Sequence, residues 1–382
     1  MTSSTIERRT DQQTDWVRVA AEVGPGFGAR ATAHDANDEF AAINFQELRE
    51  QRLFGAGIPT ELGGGGASHG EMCAVLRELG RHCGATALAF GMHAHLVAGA
   101  VFQYRQGMPT GPLLERVAAD QLMLCTSGAS DWLDSSGTAE RVDGGFRVNA
   151  RKHFVSGSLF GDLILTSAIY EDPAEGPTVL NFATPLRTPG ITVTDNWRTM
   201  AMRASGSNDV EFKDVFIPDE AVSARKPTGA WAPFFNVVAP VALPMILSAY
   251  LGVADAARTI AEQKARSRAG DETYWYLLGE LENAHTTAVV AIDSMIEAAN
   301  NLQFVPEIER TSAAMVRKTI AADALLLTVE KALEIAGGSG IFRSGTLERL
   351  VRDMHAVQFH PLQAKRQMRF TGRVRLGLDP VG

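Results

Sequence analysis

The chain has 382 residues, of which 45% are hydrophobic and 21% charged, with a formal net charge of −8 at pH 7. That length and apolar share bury a large core in two or three structural units, and an acidic balance without any basic cluster excludes a surface that tracks nucleic-acid phosphates. Cys73, Cys83 and Cys125 match no zinc spacing, which points to reduced, buried thiols and no disulfide framework.

The N-terminal MTSSTIERRTDQQTDW has no apolar stretch after its charges, so no secretory signal is expected, the compartment is expected to be the cytoplasm, and the first dozen residues are expected to fray. From Trp16 to about Val117 apolar residues recur at three- and four-residue spacing, in FQELREQRLFGAGI, EMCAVLRELGRHCG and LVAGAVFQYRQG. This predicts an N-terminal helical domain over 1–117. Gly63 to Gly66 precede no Lys-Ser/Thr, so they read as a structural loop and not a phosphate loop. His93 and His95 stand two apart in GMHAHLVAG, about 200° around a helix, and cannot share a metal. One of them is expected to line a substrate pocket and the other to be packed or exposed, and no metal site is expected.

Over 118–225 the pattern turns to short β-branched runs between turns, FRVNARKHFV, DLILTSAIY, TVLNFATPL, ITVTDNW and DVEFKDVFI, a small middle β-barrel-like domain. VDGG at 142–145 predicts a hairpin. In KHFVSG, Phe154 and Ser156 stand two apart and are expected on one strand face, with His153 on the other. Residues 226–382 return to long periodic segments, 237–268, 273–302 and 306–336, read as a C-terminal long-helix bundle. The uncharged run from Asn236 to Ala254 has the length of a membrane span, but it contains Pro240 and Pro244 and continues directly into Asp255, Arg258 and Glu262, so a buried core helix is expected and no membrane contact. ALAFGMHAHL, WAPFFNVVAP with Phe235, and YWYLLGELE supply apolar and aromatic candidates for pocket walls. The fold class is α+β, mostly α.

Five segments in order, GIPTELGGGGASHGEM (57–72), CTSGASDW (125–132), RVNARKHFVSGS (147–158), WRTMAMRASGSNDVEFKDVFIP (197–218) and EIAGGSGIFRSGTLERLVRD (334–353), give the chain a pattern that resembles the acyl-CoA dehydrogenase superfamily of flavoproteins over nearly its whole length. The resemblance implies FAD or FMN. It puts Leu124, Thr126, Ser127 and Ser130 along the flavin edge, Phe154 against the ring and Ser156 near its N5. It brings the Gly337, Gly338 and Gly340 turn toward flavin held mainly by a neighbouring subunit, although the same turn also reads as a helix C-cap. A homotetramer built as a dimer of dimers is implied as well. Where the family has an Arg-Lys-x-Phe-Gly-like stretch for the FAD pyrophosphate, this chain offers Arg266 and Arg268 without the Phe-Gly, which implies weakly held flavin.

Dehydrogenases of this family remove the proton α to a thioester with a carboxylate. Its usual place follows Arg-Asp by eight residues and falls on Pro361; its other place, nine before a Leu-Gly pair, falls on Ala242. No Asp or Glu lies between Glu220 and Asp255, nor between Asp353 and Asp379. Intact flavin-facing motifs without the base resemble the flavin monooxygenase branch, the relatives of dibenzothiophene and hydroxyphenylacetate monooxygenases, which receive reduced flavin from a separate reductase. In that reading Ser156 supports the flavin adduct, and His360 donates to, or protonates, the outer oxygen of a flavin-bound peroxide. A helix cap or a phosphate contact is the other reading of His360. Two further functions stay open: an acyl-CoA dehydrogenase with an unrecognised base, passing electrons to an electron-transfer flavoprotein, and a non-catalytic flavin- or acyl-CoA-binding protein.

Overall fold

Asp15 starts the first helix by accepting the Arg18 N–H at 2.9 Å, and α1 (Trp16–Ala36) then buries Trp16, Ala20, Phe27 and Ala31 along one stripe. The structure is a computed structural model that describes residues 14–127, 131 and 134–382. The chain start expected to fray, and Ser130, lie outside the described residues. After α2 (Ala42–Glu50), the glycine run forms a tight structural loop: a Cβ on Gly64 would stand 2.2 Å from the Ile58 carbonyl oxygen, and Gly65 lies against Trp16. Ser68 caps α3 (His69–His82), its Oγ accepting the Glu71 N–H at 3.1 Å. α4 (Gly84–Arg105) and α5 (Gly111–Asp120) complete the helical part, so the expected boundary after residue 117 falls inside α5.

The sheet comprises β1 (Leu124–Thr126), β2 (Thr138–Val142), β3 (Gly145–Val155), β4 (Leu163–Asp172), β5 (Gly176–Pro185), β6 (Ile191–Thr194), β7 (Asn208–Pro218) and β8 (Val222–Pro227). Its order is β6-β7-β3-β2-β4-β5-β8, with β1 parallel to β4. The expected hairpin joins β2 to β3 with Val142 opposite Gly145, and Gly144 takes the φ of +76° that the turn demands.

Three long helices follow, α6 (Phe235–Arg266), α7 (Glu272–Ala299) and α8 (Ile308–Ala336), then the short α9 (Thr346–Met354) and α10 (Ala364–Arg375). α6 is the central element, packed on α3, α4, α7, α8 and α9. α4 and α6 are apolar enough to cross a bilayer, but 78% and 89% of their most apolar stretches lie inside the protein, which makes them core helices. The helical, β and helical-bundle order is the expected one. The three cysteines are free and buried.

Candidate active site

The two histidines of α4 part as their spacing requires. His93 is 1% exposed; its Nδ1 accepts the Leu124 N–H at 3.0 Å and its Nε2–H donates to the Phe54 carbonyl at 2.9 Å. The ring therefore joins α4 to β1 and to the Leu53–Gly55 turn, with no nitrogen left for a ligand. This corrects two expectations: His93 is a core residue, and Leu124, buried with its N–H occupied, offers flavin neither side chain nor donor. A cavity of about 20 Å³ beside His93 and His69 has room for one water and not for a substrate.

Burial pushes the His93 imidazole down from 6.5 to about 4. The unfolded chain thus takes up this proton first, so the stability tied to neutral His93 is full above about pH 6.5 and lost between there and about 4, up to about 3 kcal/mol. His93→Ala is expected to cost about 2–4 kcal/mol at pH 7.5, because it strands the Phe54 carbonyl and the Leu124 N–H. Urea midpoints at pH 7.5 and 5 check both statements: the variant's deficit shrinks at the lower pH.

A second set of polar groups meets where α4, α6, α8 and the segment after α9 converge. The Tyr250 hydroxyl and His360 Nε2 are 2.8 Å apart, with their rings edge to face. Burial, followed by the Lys318 charge and by His95, pushes the His360 imidazole down to about 3, whereas burial and then Asp353 hold the Tyr250 phenol well above its usual range. Both are therefore neutral at pH 7. Tyr250 is fully buried and has no other acceptor among the described residues, so its O–H donates to Nε2 and the His360 proton sits on Nδ1. That Nδ1 has no protein partner among the described residues and is not sealed from its surroundings. His360 is thus a neutral N–H donor at pH 7.

The rest of this cluster fixes that donor in place. Lys318, 2% exposed, donates to the Leu362 carbonyl at 3.2 Å and holds the segment carrying His360 onto α8. Burial pushes its ammonium down to about 8. His95 Nδ1–H donates to the Gly91 carbonyl at 3.1 Å, which leaves Nε2 a lone-pair acceptor, and burial pushes this imidazole down to about 4. Among the described residues no carboxylate hydrogen-bonds or ion-pairs with Tyr250, His360, His95 or Lys318. Asp353, pushed up to about 6 by burial, is 2% exposed and accepts the Met202 N–H at 2.6 Å, so it is a buried brace and not a base. Ala242 is buried within α6, and Pro361 follows the histidine.

At the end of β3 the alternation expected to set Phe154 and Ser156 on one face is broken. Phe154 has a φ of +59° at a register shift against β7, and Ser156 lies beyond the strand's last residue. The bulge turns the Phe154 ring outward, 53% exposed, edge-on to Trp197 at 6.0 Å. Ser156 Oγ joins Ser207 Oγ at 2.8 Å and Ser207 joins Ser205 Oγ at 2.7 Å. A hydroxyl chain donating toward Ser156 leaves that O–H available outward. Ser127 Oγ lies 3.0 Å from Thr166 Oγ1, beside a half-buried Thr126 at the end of β1. His153 does not share this surface chemistry; it pairs with Asp209 at 2.9 Å. An outward aromatic ring two residues from the Ser156 hydroxyl offers a platform on which a planar ring could stack.

The remaining candidates lie apart within one chain. Arg266 is exposed, 16 residues beyond Tyr250 along α6, about 24 Å at 1.5 Å per residue. The Gly337–Ile341 turn lies 19 residues past Lys318 on α8, about 28 Å away by the same measure. There Gly337 caps α8 with a φ of +60°, and Gly337 and Gly338 are open, while Gly340 is wedged against Leu333 and Leu347. Phe235, 2% exposed and packed at a tilt against Trp231 and Phe234, is a core residue and not a pocket wall. Tyr250, Lys318 and Trp197 escaped the sequence reading, although Lys318 is the one charged residue on the buried face of α8.

Comparison with known proteins matches three family models, the acyl-CoA dehydrogenase N-terminal domain over 17–106, the middle domain over 126–215 and the C-terminal domain over 242–364. The chain is 29% identical to the amino sugar nitrososynthase DnmZ of Streptomyces peucetius, covering 92% of this chain and 91% of that one. It is 25% identical to a dibenzothiophene monooxygenase of Rhodococcus erythropolis over 69% of this chain and 65% of the other. The solved structure of KijD3 in complex with FMN and dTDP-3-amino-2,3,6-trideoxy-4-keto-3-methyl-D-glucose superposes with a TM-score of 0.85 at 25% identity, over 97% of this chain and 96% of that one.

Proposed function

Because the chain belongs to the acyl-CoA dehydrogenase family, we propose that it is a flavin-dependent monooxygenase, taking reduced flavin from a partner reductase and using oxygen on a small organic substrate. One observation carries the reading: the family's carboxylate positions are Pro361 and Ala242, and beside the first of them this chain presents a neutral His360 N–H fixed by Tyr250. Abstraction α to a thioester needs a base within hydrogen-bond reach, and among the described residues no carboxylate hydrogen-bonds or ion-pairs with Tyr250 or His360. Charge developing on oxygen needs donors already in place, which His360 Nδ1–H and the Ser156 hydroxyl are suited to be.

Phe154, backed by Trp197, would carry the flavin ring, with Thr126, Ser127 and Ser156 at its edges. Reduced flavin, when bound, supplies the electrons for oxygen activation. FMN is the preferred form, since the KijD3 complex holds it and Arg266 lacks the Phe-Gly that would accompany an FAD pyrophosphate. Arg266 and the open Gly337–Gly338 amides lie too far along their helices to serve the same chain's His360, so they serve a neighbouring copy in a cytoplasmic dimer of dimers.

Anaerobic protein mixed with reduced FMN, then with oxygenated buffer, tests the reading by stopped-flow absorbance. Reoxidation at least about tenfold slower than that of free flavin is expected, since a donor-lined, water-poor site stabilises what water would discharge. Reoxidation at the free-flavin rate, or a tightly bound oxidised FAD that bleaches on adding an acyl-CoA, would overturn it.

A further inference from the structure

The cavity of about 20 Å³ beside His93 and His69 has no part in the site described so far, yet its walls belong to elements that carry both halves of it. His93 in its wall accepts the N–H of Leu124, two residues before Thr126 on β1, and Met245 stands five residues before Tyr250 on α6, about 7.5 Å along the helix. Leu53, Ala94, Val97, Ala98, Met245 and Leu302 make the lining largely apolar. The outer end is closed where Arg105 donates to the Asn301 carbonyl at 2.6 Å and the Asn301 Oδ1 accepts the His69 N–H at 2.9 Å. We propose that this cavity binds dioxygen and holds it beside the flavin site.

Size and polarity select the guest. The room is about that of one water, which also suits dioxygen, as slender as water and little longer, and shuts out any organic substrate. Water itself is poorly served, since an ordered buried water makes about three hydrogen bonds to polar groups. Both His93 nitrogens are taken, by the Phe54 carbonyl and the Leu124 N–H. His69 gives its Nε2–H to the Val241 carbonyl at 2.9 Å, and its Nδ1, though unpaired, is sealed off from a guest of water's size. Inward of the Arg105–Asn301 closure, the described residues therefore offer no side-chain nitrogen or oxygen that is both unpaired and open to the cavity. A dry, apolar space of this size takes a small uncharged gas, and dioxygen is the one that the proposed reaction consumes.

This inference rests on the monooxygenase reading for its meaning, but its test needs no turnover. Methyl-labelled protein would be equilibrated with oxygen and with argon at equal pressure, and methyl relaxation compared by NMR. Dissolved oxygen is paramagnetic and speeds relaxation where it dwells. The methyls of Ala94, Val97 and Ala98 are expected to gain at least about three times as much as those of Val329 and Ala332, which are equally shielded on α8 but line no part of this cavity. Ala98→Val and Val97→Leu each add bulk to the lining, and each should abolish the excess at the methyls that remain. Equal gains at cavity and control methyls, an excess that survives both substitutions, or a bound-water cross-relaxation signal on the cavity methyls would each overturn the assignment. An excess that both substitutions abolish, found alongside reoxidation at the free-flavin rate, would sink the oxygenase reading alone.

Discussion

His360→Ala is expected to lower substrate oxygenation by roughly 10²-fold or more while FMN binding persists, the usual cost of deleting one preorganised donor from a site where charge develops on oxygen. The donor is single and directed. Tyr250 takes Nε2 at 2.8 Å, Lys318 holds the backbone two residues downstream, and the one hydrogen left on the ring points outward. Tyr250→Phe removes only the direction, since either ring nitrogen can then carry the proton, so a smaller loss of about tenfold is expected. If Tyr250 acts solely through His360, the double variant is no slower than His360→Ala, a non-additivity that a structural role for Tyr250 would not produce. The pH profile supplies a second readout. With its imidazole held down to about 3, His360 stays neutral as pH falls from 7.5 to 5.5, and no activity is lost to its protonation in that range. Product formed per reduced flavin would be measured for all three variants, and an unchanged yield in His360→Ala would remove the residue from the mechanism.

The parts of this site that were legible from sequence are those fixed by local rules. The Asp143–Gly144 hairpin and the apolar stripes of α6 to α8 follow from spacing alone, and the missing base follows from counting against motifs. The failures came where tertiary contacts decide. Strand alternation could not foresee the bulge at Phe154, because a positive φ in a phenylalanine is chosen by packing and not by propensity. Nothing local separates His93 from His95 until the Phe54 carbonyl and the Leu124 N–H, 39 and 31 residues away in sequence, claim one of them. Phe235 looked like a pocket wall because aromatic clusters in cores and in sites share a composition. Tyr250 could have been found as the one phenol in the uncharged run of α6, a group that must locate a partner when buried.

The largest loss of stability is expected from Asp255→Ala, about 3–5 kcal/mol by denaturant unfolding at fixed protein concentration. Asp255 is 4% exposed on α6, where it accepts two hydrogen bonds from Arg77 of α3, at 2.7 and 3.0 Å, and one from His285 of α7 at 2.8 Å. It therefore ties the N-terminal helices to the bundle at the helix that also carries Tyr250. Burial alone would raise this carboxyl, but the bonds from His285 and Arg77 outweigh it and hold the group down from 3.8 to about 2. A depressed acid stabilises above its unfolded value and loses that contribution as pH falls through the folded one. The deficit of Asp255→Ala should accordingly stay constant from pH 8 to 5 and narrow only toward pH 2. That separates it from His93→Ala, whose deficit already narrows below pH 6.5. Asp255→Asn keeps an acceptor but loses the charge, so an intermediate loss is expected. A loss under about 1 kcal/mol in Asp255→Ala would mean that water replaces the carboxylate between Arg77 and His285 and that apolar packing alone joins the two helical parts.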